Sequence, residues 1–288
     1  DLVVRLLEET SSGAGTRHAT APFSGGSDHC LLVDPSVGVP CPSITEWPDR
    51  FYHTSMDTLD KVDPSQLARA GVVAATYACF LANAGAEEVP WLAEEVLSRH
   101  KSRVLALTRD ALVRATDAEH HVDDVGRLER QVRFLEERAM RALASLRRLA
   151  DVDLSAWQLE ARQFAEHELL RMDSLLPDSP PPPPADEWER QTASIVPRRL
   201  CPGPVDLKNF VNRMSDDEYE MWWRVYRESP DATYVYPAML LYWADGQRNL
   251  QEICELIELE TGKRVTELLV TCCRLWERLG LVELSTRP

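Results

Sequence analysis

Gly25-Gly26-Ser27-Asp28-His29, then Gly38-Val39-Pro40, then Phe51-Tyr52-His53-Thr54-Ser55-Met56-Asp57-Thr58 is the stretch on which the reading of this chain turns. Gly38-Val39-Pro40-Cys41-Pro42-Ser43-Ile44 reads as a buried strand entered through prolines. The second motif then places an imidazole between an aromatic pair and an acidic turn. A histidine at a strand end with a carboxylate four residues on can be a metal ligand braced by a neighbouring group. By spacing alone the commoner arrangement is a half-buried His53 hydrogen-bonded to Asp57. Downstream, Asp63 suits an N-cap and Pro64 a first helical position, so a helix is expected from Pro64 to about Asn83. That helix is apolar on most faces, as a helix covering a sheet would be.

Outward from that stretch, Leu2, Val3, Leu6 and Leu7 have helical spacing, and Ser11–Gly15 would end that helix. From Glu87 to about Leu176, apolar stripes through Val96, Val104, Leu128, Val132, Leu143 and Leu146 predict three or four amphipathic helices, broken near 117–124 and 151–153. Pro180 to Pro184 are five consecutive prolines, a stiff linker, and the chain to about Pro204 reads as extended. The remainder predicts helices over 207–214, 215–228, 234–244, 250–261 and 265–279, then a short strand at 281–284.

Composition sets the outer limits. The 288 residues leave room for two or three domains, and the formal net charge is −15. Such acidity opposes binding to phosphate backbones, so no nucleic acid is expected as a partner. No apolar run is long enough for a membrane span, so no membrane association is expected either. Seven cysteines, an odd number without C-x-x-C spacing, favour core thiols in a reducing compartment over a disulfide framework. A cytoplasmic location follows as the expectation. Asp1 opens what reads as the middle of a structured element, so the numbered chain is expected to begin inside a domain.

The motif order, with Asp60 and Asp63-Pro64 and the Ala-rich helix after it, resembles the C-terminal third of the co-catalytic zinc aminopeptidases (peptidase clan MH). These include bacterial leucyl aminopeptidases, with glutamate carboxypeptidase and glutaminyl cyclase as relatives. The resemblance covers residues 1–84 and implies an α/β fold, here the end of a mostly parallel sheet flanked by helices. It implies an aminopeptidase that hydrolyses the N-terminal residue of a peptide substrate by water activated between two zinc ions. By resemblance, His53 is a zinc ligand and Tyr52 a catalytic hydroxyl that stabilises the tetrahedral intermediate. Asp57 braces the loop. Asp28 lines the substrate pocket or stands behind it, and Ser27 and His29 fix that turn.

The family's other ligands and its Glu base lie upstream of the Ser-Asp-His motif, and this chain has almost nothing there. Glu87-Glu88 and Glu94-Glu95 imitate a Glu-Glu pair but read as solvated helix faces, and His120-His121 reads as a polar inter-helix turn. The chain alone is therefore expected to be inactive. A non-catalytic interaction protein of the same fold and a glutaminyl cyclase-like enzyme are the alternatives. The chain's last part, with Asp245-Gly246, two helices and Leu279-Gly280-Leu281-Val282, resembles winged-helix modules appended to some aminopeptidase-like proteins. Residues 206–288 hold 15 acidic and 10 basic side chains, which favours a packing or dimerising role over DNA reading. The expected organisation is an aminopeptidase-like segment (1–84), an all-α helical region (85–178), a Pro-rich linker (179–204) and a winged-helix-like domain (205–288). A homo-oligomer through the helical or winged-helix-like region is compatible with this layout.

Overall fold

The computed structural model describes residues 18–21, 23, 27–115, 125–176, 187–203, 205, 207–228 and 235–286. The helix expected at residues 2–9, the Gly25-Gly26 pair, His120-His121 and the proline run lie outside these residues. The described chain is largely helical, with one small antiparallel sheet. It divides into two compact units, one of Asp1–Thr20 together with Ile44–Pro182, the other of Ala21–Ser43 together with Pro183–Pro288.

The first unit holds α2 (Pro64–Asn83), α3 (Val89–Ala115), α4 (Val125–Ser145) and α5 (Ser155–Leu175). α2 starts where its sequence says it should. Pro64 occupies the first turn, and the Asp63 carboxylate accepts the backbone N–H of Ser65 at 2.8 Å and of Gln66 at 3.4 Å. Its expected packing on a sheet is not found among the described residues. Val73 is its one buried side chain there, while Leu67 is 65% exposed and Val72 55%. The long helices α3, α4 and α5 each pack on the other two. One core layer gathers Val89, Leu92, Ala93, Leu143, Leu146 and Leu154, and another Val104, Leu128, Val132, Ala165 and Met172. Val104, Leu128, Val132, Leu143 and Leu146 are stripe residues expected from the sequence; Val89, Leu92, Ala93, Leu154, Ala165 and Met172 complete the layers.

Polar groups inside this bundle are mostly paired. Arg171 and Thr108 both donate to the Glu168 carboxylate, at 2.6 and 3.2 Å. The Arg171 side chain holds the Glu168 pKa below the usual carboxylate range, against the opposing effect of burial. His100 is buried beside the Ala161 carbonyl, 3.2 Å from its Nε2. Burial lowers its pKa, so the ring is neutral at physiological pH.

The second unit begins with α1 (His29–Val33) and continues, after the proline run, with α6 (Glu187–Ser194) and β1 (Ile195–Arg199). A 3₁₀ stretch (Leu207–Arg213), α7 (Asp216–Glu228), α8 (Val235–Trp243), α9 (Leu250–Thr261), α10 (Thr266–Arg278) and β2 (Val282–Thr286) follow. β1 pairs antiparallel with β2, Ile195 opposite Thr286 and Arg199 opposite Val282. Within the stretch expected to be extended up to Pro204, residues 187–199 are thus a helix and a strand. Val196 and Thr192 are buried, so this segment belongs to the core and not to a spacer. The strand expected at Gly38–Ile44 is irregular and mostly exposed, and no parallel sheet occurs among the described residues. Residues 207–213 are 3₁₀ where an α-helix was expected.

α9 is bounded as local chemistry predicts. Asn249 Oδ1 accepts the Glu252 N–H and Glu252 Oε2 accepts the Asn249 N–H, both at 2.8 Å, a reciprocal capping box. Gly262, at φ +73°, supplies the left-handed C-cap. α10 is the centre of the unit. Leu268, Leu269, Cys272, Leu275 and Trp276 are buried against Trp222, Leu240, Ile253 and Ile257. All seven cysteines are free, and Cys254, Cys272 and Cys273 are buried. Burial pushes the Cys254 and Cys273 thiols up to about 12, so both are inert core groups. No helix among the described residues is long and apolar enough to cross a membrane.

Candidate functional site

The sequence-predicted site residues fall in both units. Ser27 and Asp28 belong to the second, and Tyr52, His53 and Asp57 to the first.

Residues 49–58 form a loop closed by its own hydrogen bonds. The Asp49 carboxylate accepts the N–H of Phe51 at 2.8 Å and of Tyr52 at 3.2 Å. The Thr54 hydroxyl donates to the Phe51 carbonyl at 2.7 Å and accepts the Met56 N–H at 3.2 Å. The Asp57 N–H reaches the Thr54 carbonyl at 3.2 Å, and Lys61 lies over the Phe51 ring at 5.0 Å. This Asx-type start and hydroxyl-buttressed turn follow from Asp49 and Thr54, short polar side chains that bond their own backbone.

His53 stands at the apex with φ +58°, the one non-glycine residue at positive φ among the described residues. The left-handed region costs an L-residue roughly 1–2 kcal/mol, although histidine enters it more readily than most. Tyr52 stacks on its ring, centroids 3.9 Å apart and planes 19° apart, and meets Trp47 edge-on at 6.1 Å. Both side chains are exposed, Tyr52 at 50%. The half-buried His53 bonded to Asp57 is therefore not what forms: both residues are exposed and no hydrogen bond joins the two side chains. Asp57 serves the turn through its backbone.

In the second unit, Ser27 and Asp28 are exposed and open α1. The Ser27 carbonyl accepts the Cys30 N–H, and that of Asp28 the Leu31 N–H, both at 3.0 Å. His29 meets Phe23 edge-on at 5.6 Å. The turn is anchored by Asp34, a residue the sequence reading did not single out. Its carboxylate is wholly buried and accepts Arg199 Nη1 at 3.1 Å and Nη2 at 3.0 Å. Burial works to raise its pKa, but the Arg199 and Ser36 hydrogen bonds and the guanidinium charge outweigh that and lower it. An Asp-Pro pair gives no hint of a partner 165 residues away, so no local signal could have revealed it.

A zinc centre of the kind the resemblance implies needs several converging donors. Among the described residues, no group of three or more His, Cys, Asp or Glu side chains could hold a metal ion. His53 alone does not fit a metal centre. The Glu-Glu look-alikes have structural uses: Glu88 accepts the Gly85 N–H at 2.7 Å, Glu94 accepts Trp157 Nε1–H at 2.8 Å, and Glu95 pairs with Arg99 at 2.5 Å.

Comparison with protein-family models, with curated proteins and with solved structures finds no match to this chain.

Proposed function

We propose that this chain carries the C-terminal part of an aminopeptidase-type zinc exopeptidase of α/β fold. His53 is one nitrogen donor of its metal centre, and the other donors lie outside these 288 residues. The observation that supports this reading most is the Tyr52–His53 pair. A stacked phenol and imidazole project from a loop whose hydrogen bonds hold His53 in a conformation that glycine would adopt at lower cost. Such strain at a chemically able side chain is typical of sites where the side chain is needed. In this reading Tyr52 supplies the hydroxyl that stabilises the oxyanion, and Asp28 lines the substrate pocket, both by resemblance. No catalytic step is assigned to the described residues, since they do not assemble a metal centre.

Two measurements test this. The chain by itself is expected to bind zinc no better than a surface histidine does, and a stoichiometric two-zinc complex at submicromolar affinity would contradict the donor assignment. In the complete protein, Tyr52→Phe is expected to keep the metal and lower kcat roughly a hundredfold to a thousandfold, the usual worth of an oxyanion donor. Unchanged turnover at full metal loading removes that role.

The second unit is read as a winged-helix-like packing module. α9, the Gly262 turn, α10 and β2 follow one another in the required order, with β1 as the strand partner. Most of α10 is buried, which leaves Glu267, Arg274, Glu277 and Arg278 as its exposed face. Arg274 is tied to Gln191 at 2.6 Å, and Arg278 to the Arg213 carbonyl at 2.7 Å and to Glu218. Two engaged arginines beside two carboxylates release few counterions, so binding of this chain to mixed duplex DNA is expected to be negligible at physiological salt. A mobility shift at micromolar protein would revive a role in reading DNA.

A further inference from the structure

We propose that the C-terminal unit is the frame on which the Ser27-Asp28-His29 turn is built, with Arg199 and Tyr242 as its positioning residues. The functional weight of this rests on the aminopeptidase reading of Ser27 and Asp28; the structural claim does not.

α1 cannot hold itself. It has five residues and none of them is buried. A helix so short has no stability of its own, and hydrophobic burial does not fix it here. What fixes it comes from far along the chain. Tyr242, on α8, donates its hydroxyl to the Cys30 carbonyl at 3.1 Å, and its ring packs on Phe23 at 6.2 Å. Arg199, at the end of β1, grips Asp34 with both terminal nitrogens and donates its Nε–H to the Cys201 carbonyl at 2.5 Å. The Gly203 N–H is received by Ser36 Oγ at 3.0 Å. The Asp34 carbonyl in turn accepts the N–H groups of Val37 and Gly38, at 2.8 and 2.7 Å, and the Leu32 carbonyl accepts that of Val39 at 2.9 Å. Asp34 is thus a knot. One side ties to β1, the other closes the turn that follows α1.

The geometry makes Arg199 hard to replace. Its side chain is 11% exposed and that of Asp34 0%, so removal of the guanidinium leaves a carboxylate buried without its countercharge. A lysine keeps the charge but loses the planar fork that meets both carboxylate oxygens. Any event that disturbs β1 or α8 is therefore passed to the backbone that carries Asp28.

Hydrogen exchange on the 288-residue chain tests this through the amides of Val37, Gly38 and Val39. In Arg199→Ala these should exchange at least about a hundredfold faster, as expected for loss of one partner of a buried pair. Amides of α9, α10 and α3 should keep their protection. Arg199→Lys should fall between, and Tyr242→Phe should loosen residues 29–33 several-fold. If Arg199→Ala unfolds the whole unit, Tyr242→Phe, which removes one hydroxyl, still reports. Unchanged exchange at 29–39 in Tyr242→Phe and Arg199→Lys overturns the proposal, as does acceleration only in step with α10. In the complete enzyme, Tyr242→Phe should raise KM for a peptide several-fold and leave kcat in place, because Asp28 is assigned to the pocket and not to the reaction. Lack of any peptidase activity in the wild type counts against the functional reading alone; the exchange result still decides the frame.

Discussion

On the aminopeptidase reading, His53→Ala and His53→Gly in a protein carrying this chain are both expected to lower kcat/KM for peptide hydrolysis by at least about a thousandfold. That exceeds the roughly 10–100-fold typical of losing a group that only supports a ligand. The pair is informative because the two substitutions act oppositely on the backbone. At φ +58° alanine inherits the left-handed strain without the imidazole, whereas glycine removes the strain of roughly 1–2 kcal/mol. If His53 is held there for its ring, glycine is neutral or mildly stabilising by thermal melting and yet inactive. If it is a turn residue, glycine serves at least as well and activity survives. A His53→Gly enzyme with more than a tenth of wild-type kcat/KM ends its assignment as a donor.

The helical part of the fold was legible because its signals are local. Asp63-Pro64 and the α3–α5 stripes act within one or two turns, and the helix expected over 250–261 is α9, Leu250–Thr261. What the sequence hid was long-range. β1 pairs with β2 across more than 80 residues, and the Pro and two Arg of Ile195–Arg199 disguise a strand whose Val196 is buried. A proline run just upstream invited the reading of a linker that ends late. Segment 21–43 carries no apolar periodicity tying it to the C-terminal unit; the ties include a buried ion pair, hydrogen bonds of the Tyr242 and Ser36 hydroxyls, and a ring contact. Gly38–Ile44 reads as a strand by composition, but its residues are mostly exposed and make no ladder. As for the site, Tyr52 and His53 were visible as residue types in a motif, while the stacking and the left-handed backbone that set them apart are conformational facts.

Trp276→Ala should destabilise the second unit by about 3–5 kcal/mol, the usual cost of emptying a large aromatic position in a packed core. Trp276 is fully buried on α10, among Leu268, Leu269 and Cys272 of its own helix and the Trp222 and Ile253 side chains of the same cluster. Its Nε1–H, like that of Trp222, is buried without an acceptor. The residue therefore contributes through volume and apolar area, and against an unmet donor. Trp276→Phe gives up part of the volume but also that N–H, so it should cost only about 1–2 kcal/mol. The first unit has its own core layers on α3, α4 and α5. Hydrogen exchange should accordingly show α9, β1 and β2 opening faster in Trp276→Ala while α3–α5 keep their wild-type rates. The turn at Asp28 should loosen with α9, since its anchors Arg199 and Tyr242 stand on that same core. Equal acceleration in α3–α5 would mean that the two units unfold as one. A turn at 29–39 that stayed protected while α9 opened would mean that Asp34 is held by something other than the unit in which it is buried.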